Sequence, residues 1–144
     1  MKPDVCVAND RLRTASCSCG AVELELHGEP RSVYACACNE CQRCTGTAFA
    51  YRAIYSDTAI IGRKGNTRAW RRNGTSGRWL EQHFCGDCGS IIFMSAEALT
   101  GAISVSVGCF GEAEFPPPKM LHWPERRHHW LCLEAIAQAA PVSA

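Results

Sequence analysis

The chain has 144 residues, of which 47% are hydrophobic, and a formal net charge of +1. This length favours a single domain with a sizeable buried core, and the near-neutral charge gives no general attraction to nucleic acid or to an anionic membrane. No apolar stretch approaches the length of a membrane-spanning helix, and the first residues lack the basic-then-apolar order of a secretory signal. We therefore expect a cytoplasmic protein that binds no membrane, and a nucleic-acid partner, which this charge disfavours, would need a local basic patch. The sequence makes no prediction about its oligomeric state.

The first half of the chain reads as short strands joined by turns. Residues 1–11 form a lead-in, and residues 21–26 alternate polar and apolar side chains, which is typical of a half-buried strand. We expect Cys17 and Cys19, just before this strand, to lie in an extended segment with both sulfurs on one side. Later segments of similar pattern are also predicted strands: 48–55, 58–61, 67–72, 78–84, 90–94 and 102–107.

The turns and the last third of the chain complete this picture. Residues 73–77, Asn-Gly-Thr-Ser-Gly, predict a hairpin between two of the strands. Residues 115–118, Phe-Pro-Pro-Pro, predict an extended surface segment. Residues 131–140 are predicted to form either a short helix or a frayed tail. The fold class we expect is mostly β, built from antiparallel hairpins.

Eleven cysteines are the most informative feature of the composition. Seven of them fall into an early pair, a triplet and a late pair: Cys17 and Cys19; Cys36, Cys38 and Cys41; Cys85 and Cys88. Spacings of Cys-x-Cys and Cys-x-x-Cys, an odd total and the lack of an export signal favour metal binding over a disulfide framework. Thiolates are preferred ligands of zinc, so we predict zinc sites, the late pair lying on a tight turn of the zinc-knuckle type.

The spacing leaves two groupings of these thiols open. In the first, the early and late pairs form one closed four-cysteine site, and the triplet holds a second zinc with one open position where chemistry takes place. In the second, Cys41 and Cys44 join the late pair, while the early pair joins Cys36 and Cys38. Both zincs would then be structural. The isolated Cys6, Cys109 and Cys132 are predicted to be buried or spare thiols.

Three motifs in this order resemble the glutathione-dependent formaldehyde-activating enzyme family, which also includes centromere protein V. The motifs are residues 16–22 (Ser-Cys-Ser-Cys-Gly-Ala-Val), residues 36–43 (Cys-Ala-Cys-Asn-Glu-Cys-Gln-Arg) with Gly46, and residues 84–90 (Phe-Cys-Gly-Asp-Cys-Gly-Ser). The resemblance continues to Pro118, His122 and Trp130. It implies a single zinc-binding domain over residues 12–130, with residues 1–11 and 131–144 as tails, and the family's all-β, beta-tent fold.

The resemblance also implies roles for the cysteines. Cys17, Cys19, Cys85 and Cys88 would bind a structural zinc, and Cys36, Cys38 and Cys41 a catalytic one, which makes two zinc ions per chain. The family pattern does not use the position of Cys44 as a ligand. The implied reaction is the condensation of glutathione with formaldehyde to S-hydroxymethylglutathione, which is a carbon–sulfur lyase reaction in the reverse sense. A small-molecule thiol such as glutathione is therefore the expected partner.

Two further residues have predicted roles in this reaction. Arg43, next to Cys41, could bind a carboxylate of the thiol substrate, and His122, which matches the family pattern, could carry a proton because imidazole titrates near neutrality. Basic residues around the predicted hairpin are either a second carboxylate-binding surface or a solvated strand face. The alternative function is a zinc-stabilised module that binds a protein or nucleic acid and in which both zincs are structural.

Overall fold

The computed structural model describes residues 11–133 and, for the backbone alone, residues 137–138. This part of the chain contains eleven strands and one α-helix, α1 (Asn39–Thr45). The strands are β1 (Leu12–Ser16), β2 (Glu23–His27), β3 (Ser32–Cys36), β4 (Ala50–Ser56), β5 (Ile60–Lys64), β6 (Thr67–Asn73), β7 (Trp79–Cys85), β8 (Ile91–Ala96), β9 (Ala102–Ser106), β10 (Met120–His122) and β11 (Ala137–Gln138). Three short 3-10 helices occupy Asp57–Ala59, Val107–Phe110 and Pro124–Arg126.

The strands form two sheets. The smaller sheet has the order β1-β2-β5, and the larger one has the order β11-β10-β3-β4-β9-β8-β7-β6. Neighbouring strands run antiparallel except at β10, which runs parallel to both β3 and β11. The prediction of a mostly β fold with antiparallel strands is confirmed. The parallel pairing of β10 with β3 was not predicted, since it joins segments that lie far apart in the sequence.

The main core lies between the two sheets. Along β2, Leu24 and Leu26 are buried and alternate with glutamates that face outward, as the strand period requires. They share one apolar cluster with buried residues of the larger sheet, among them Ala53 and Tyr55 of β4 and Val105 of β9. The other face of the larger sheet is covered in part by α1, and this is the face that carries the cysteine triplet.

Several predicted elements have different bounds in the structure. The hairpin around residues 73–77 is present as β6 and β7, and Gly77 takes the positive φ of 80° that the turn requires. The sequence did not predict strand β1, because its buried face is formed by Arg13 and Ala15 and so shows no apolar alternation. Strand β5 runs through Gly62 rather than ending there.

The predicted terminal helix is not formed by the described residues. Residues 131–133 are irregular, and Ala137–Gln138 adds a short strand beside β10. The rest of the segment 131–140, like the lead-in up to residue 10, lies outside the described residues. No helix in the described part of the chain is long and apolar enough to cross a membrane.

Candidate metal centres

The early cysteine pair lies on a tight turn between β1 and β2. Gly20 N–H donates to the Cys17 carbonyl at 3.1 Å, and Cys17 N–H donates to the Val22 carbonyl at 3.0 Å. Gly20 closes the turn at a φ of 78°. The expectation of an extended segment is therefore wrong, although both sulfurs do lie to one side. It is the turn that brings the Sγ atoms of Cys17 and Cys19 within 3.6 Å of each other.

The late pair lies on a second turn of the same kind, as predicted. Gly89 N–H donates to the Cys85 carbonyl at 2.9 Å, and Gly89 has a φ of 79°. The backbone N–H of Ser18 donates to the hydroxyl of Ser90 at 3.0 Å, which joins the two turns directly. The Sγ atoms of Cys19 and Cys85 lie 3.7 Å apart.

The two turns together form a four-cysteine cluster. The Sγ atoms of Cys17, Cys19, Cys85 and Cys88 all lie within 4.8 Å of one another. Sulfurs bound to one tetrahedral zinc at about 2.3 Å would be about 3.8 Å apart, so this donor set fits the ion. The hydroxyl and backbone N–H of Ser90 lower the pKa of Cys88 to about 5, and this favours the thiolate form that metals bind.

The triplet forms a second cluster where β3 meets α1. Cys36 ends β3, Cys38 caps the helix by accepting a hydrogen bond from Cys41 N–H at 3.3 Å, and Cys41 lies in the first helical turn. Their three Sγ atoms also lie within 4.8 Å of one another. Gly46 ends the helix at a φ of 66°. Two cysteine clusters of this fold can thus hold metal ions, one with four thiols and one with three.

Hydrogen bonds inside the triplet divide its protons unequally. Bonds from Cys36 and Cys41 lower the pKa of Cys38 to about 2, while the same contact with Cys38 raises the pKa of Cys36 to about 11. The pKa of Cys41 is raised by its hydrogen bonds to Cys36 and Cys38. The three thiols therefore lie close enough to shift one another's pKa values strongly.

Cys44 lies outside both clusters. Its Sγ is half-buried and donates to the Cys41 carbonyl at 3.4 Å, one helical turn earlier. The fold groups the seven other thiols in the first of the two arrangements that the spacing allowed. Cys109 and Cys132 lie apart from the clusters as well, while Cys6 lies outside the described residues.

A cavity of about 410 Å³ opens beside the triplet. Its wall includes the three cysteines, Tyr34 of β3, Trp123 and the turn of the β6–β7 hairpin. Arginines from three separate elements also line it: Arg43 of α1, Arg72 of β6 and Arg126. The Nε atom of Arg72 is buried and has no hydrogen-bond partner among the described residues. Three guanidinium groups and one carboxylate, that of Glu40, thus line the cavity beside the cysteines.

The structure places the two predicted partners of the triplet differently. Arg43 lines the cavity and is paired with Glu40, its Nη1 lying 2.7 Å from Glu40 Oε1. His122 is exposed, its ring packs edge-on against Tyr34 with 5.4 Å between the centroids, and it is not among the residues that line the cavity. Its backbone carbonyl accepts a hydrogen bond from Ala37 N–H at 3.0 Å, next to Cys38.

Trp123 and Arg126 were missed as cavity residues. Trp123 has a φ of 56°, which is rare for a bulky residue, and it immediately precedes the 3-10 helix that begins at Pro124. Gln42 of α1 donates to the carbonyls of Ala37 and Arg126, at 2.7 and 3.0 Å, and so fixes this segment against the helix. The only local signal was the His-Trp-Pro sequence, which marks a turn but not its position in the fold.

Fold and clusters together define a mostly β, cysteine-rich protein with donor sets for metal ions. Residues 12–126 match the family model of the glutathione-dependent formaldehyde-activating enzyme, and the chain belongs to this family. No curated protein matches the chain. A solved structure of a Rhodobacter sphaeroides protein, determined in a structural genomics programme, is similar in fold: the TM-score is 0.54 at 22% identity, over 72% of this chain and 91% of that one.

Proposed function

We propose that this protein is a zinc-dependent enzyme of the carbon–sulfur lyase type. It adds glutathione, or a related thiol, to formaldehyde or another small aldehyde at the three-cysteine cluster. The domain responsible spans residues 12–130, and the four-cysteine cluster holds a structural zinc. Family membership supports the reaction class, and the cytoplasmic location predicted from the sequence fits a substrate such as glutathione.

One observation carries the proposal: the three-cysteine cluster forms part of the wall of a cavity that three arginines also line. Three thiolates leave one position of a tetrahedral zinc open, which is the arrangement of a catalytic rather than a structural site. A zinc ion bound there would supply the Lewis acidity that keeps a substrate thiol deprotonated at neutral pH. If the open position faced packed side chains instead of a cavity, no substrate thiol could reach the zinc.

The residues of the chain would orient the thiol in this cavity. Glutathione carries two carboxylates, and Arg72 and Arg126, from two separate elements, both line the cavity and could pair with them. Arg43 is held by Glu40 and would contribute charge rather than a free donor pair. The cavity volume of about 410 Å³ lies within the ordinary range for small-molecule sites, roughly 300 to 1,000 Å³.

The reaction forms one sulfur–carbon bond and converts the carbonyl to a hydroxyl without oxidation or reduction. The thiol sulfur attacks the aldehyde carbon, the C=O π bond opens, and the proton that left the thiol ends on the new oxygen. We propose His122 as the carrier of that proton, since the family pattern includes this histidine. Its ring lies against Tyr34, which is itself a wall residue of the cavity.

The test is exchange NMR on a mixture of glutathione and formaldehyde, with and without the zinc-loaded protein. The uncatalysed reaction already proceeds, so the exchange rate is the quantity that reveals catalysis. We expect faster exchange with the wild-type protein, loss of the acceleration in Cys38→Ser, and no loss in Cys44→Ser, which removes a nearby thiol outside the clusters. A fully zinc-loaded protein that leaves the rate unchanged would refute the enzyme and favour the binding module with two structural zincs.

A further inference from the structure

Arg52 is a charged residue at the centre of the larger sheet. It lies on β4, directly opposite Tyr34 of β3 and Ser106 of β9, and its side chain is 2% exposed. It is one of the largest fully buried side chains of the protein. Arginine is almost never buried to this extent unless it is paired, because taking the charge out of water is costly. Its position therefore requires an explanation.

The usual explanation, a carboxylate partner, does not apply in the described part of the chain. No ion pair there includes Arg52, and its Nε and Nη1 atoms have no hydrogen-bond partner. Nη2 has one contact, with the Sγ atom of Cys44 at 3.9 Å. Arg13, the other deeply buried arginine, shows the contrast: it pairs with Glu29 at 3.0 Å and with Glu112 at 3.2 Å.

The face on which Arg52 lies is the face of the cysteine triplet. Cross-strand partners share a face of the sheet, and so do residues two apart on one strand. Tyr34 and Cys36 therefore lie on the same face as Arg52, with Cys36 opposite Ala50. Helix α1 covers this face, and its Cys44 is the residue that touches the guanidinium.

Tyr34 links Arg52 to the cluster through the sheet. It is the cross-strand partner of Arg52 and lies two residues before Cys36 on β3. The hydroxyl is held by Ser104 at 2.7 Å. The guanidinium and the cysteine cluster thus have the half-buried Tyr34 as a common neighbour.

We propose that Arg52 is a positioning residue whose buried guanidinium balances the negative charge of the three-cysteine cluster and thereby sets its affinity for metal. The inference rests on the proposed function, in which this cluster holds a metal ion. Three thiolates outweigh a divalent ion by one negative charge, and a bound substrate thiolate adds another. A fixed cation behind the cluster stabilises both states, and the cluster in turn supplies the counter-charge that Arg52 lacks elsewhere.

The experiment is a titration of the metal-free, reduced protein with Co²⁺ in competition with a chelator. Thiolate-to-cobalt absorption reports the occupancy of each cluster, and Cys38→Ser identifies the signal of the three-cysteine site. We expect two ions per wild-type chain. Arg52→Met, which keeps the length and removes the charge, should weaken the three-cysteine site by roughly tenfold to a hundredfold, as the loss of an outer partner of a metal site does. The four-cysteine site should keep its affinity.

Two further variants separate charge from packing. Arg52→Lys keeps the charge and should retain most of the affinity, whereas Arg52→Gln keeps only hydrogen-bonding capacity and should lose it. This pair decides the question even if Arg52→Met does not fold. Arg13→Met is the matched control, since it removes a guanidinium of equal burial from the other side of the core and should not weaken the three-cysteine site selectively.

The outcomes distinguish this inference from the function on which it rests. Equal affinity of the three-cysteine site in wild type, Arg52→Met and Arg52→Gln would overturn the role of Arg52 alone. Equal losses at both sites would also overturn it, because they would indicate a role in folding only. If the wild-type protein bound Co²⁺ at the four-cysteine cluster and not at the triplet, the catalytic metal site itself would be refuted.

Discussion

Loss of a single exposed thiol, Cys88, should destabilise the protein far more than its position suggests. Cys88 lies on the surface, so that Cys88→Ser leaves no cavity in the core. Through the proposed zinc, however, the four-cysteine cluster crosslinks Cys19 to Cys85, which are 66 residues apart. Closing a loop of this length removes about 4 kcal/mol of chain entropy from the unfolded state, and we expect most of this stabilisation to be lost.

Urea unfolding followed by tryptophan fluorescence would measure this loss, with and without a zinc chelator. The free energy of unfolding should fall by about 4 kcal/mol in the wild type on chelation and in Cys88→Ser without it. Cys44→Ser provides the control, because that thiol belongs to neither cluster, and it should cost about 1 kcal/mol or less. The crosslink would be refuted if the free energy of unfolding of the wild type were the same with and without chelator and if Cys88→Ser and Cys44→Ser were equally stable.

Three other perturbations test separate parts of the structure. Arg72→Ala should raise the KM for glutathione about tenfold with little change in kcat, because a charge-assisted hydrogen bond contributes about 1.5 to 3 kcal/mol; a thiol without carboxylates, such as 2-mercaptoethanol, should show no change. Gly65→Ala should destabilise the fold much more than Gly77→Ala. Both glycines have a positive φ, but the new Cβ would lie 2.0 Å from the carbonyl oxygen of Ala21 in Gly65→Ala and in open space in Gly77→Ala. Thermal unfolding followed by circular dichroism would rank the two variants. Burial raises the pKa of all three tyrosines. Their neutral forms therefore contribute stability that is fully present below the ordinary tyrosine pKa of about 10 and is lost as the pH rises through the raised pKa values of the folded protein. Absorbance at 295 nm should show phenolate appearing only as the protein unfolds.

The elements that sequence reasoning predicted well are those with a local cause. The β6–β7 hairpin follows from a turn rich in glycine and polar residues between two β-favouring runs, and the late knuckle follows from Cys85-Gly-Asp-Cys88. Helix α1 had no such signal. None of its residues is buried, so that it shows no apolar period, and its cap is a cysteine rather than one of the usual small polar residues.

The partition of the cysteines needed the fold. Spacing alone allowed two groupings, and only the pairing of strands decides which turns meet. The early pair shows the same limit in detail: Gly20 indicates that the chain turns, but Cys-x-Cys also suits a strand, and in the structure the turn already begins at Ser18. Arg52 likewise looked like one more strand residue, since nothing near it in the sequence shows that both faces of its strand are covered.

The parallel pairing of β10 with β3 has a consequence for the order of assembly. His122 pairs with Cys36, and the segment that follows supplies Trp123 and Arg126 to the cavity, whereas all four thiols of the other cluster have been synthesised by residue 88. A chain that emerges from its N-terminus can therefore close the four-cysteine cluster before the cavity beside the three-cysteine cluster is complete. On nascent chains synthesised in the presence of zinc, pulse-labelling with a thiol reagent should find Cys88 protected earlier than Cys38. The three-cysteine site would then be completed after the four-cysteine site.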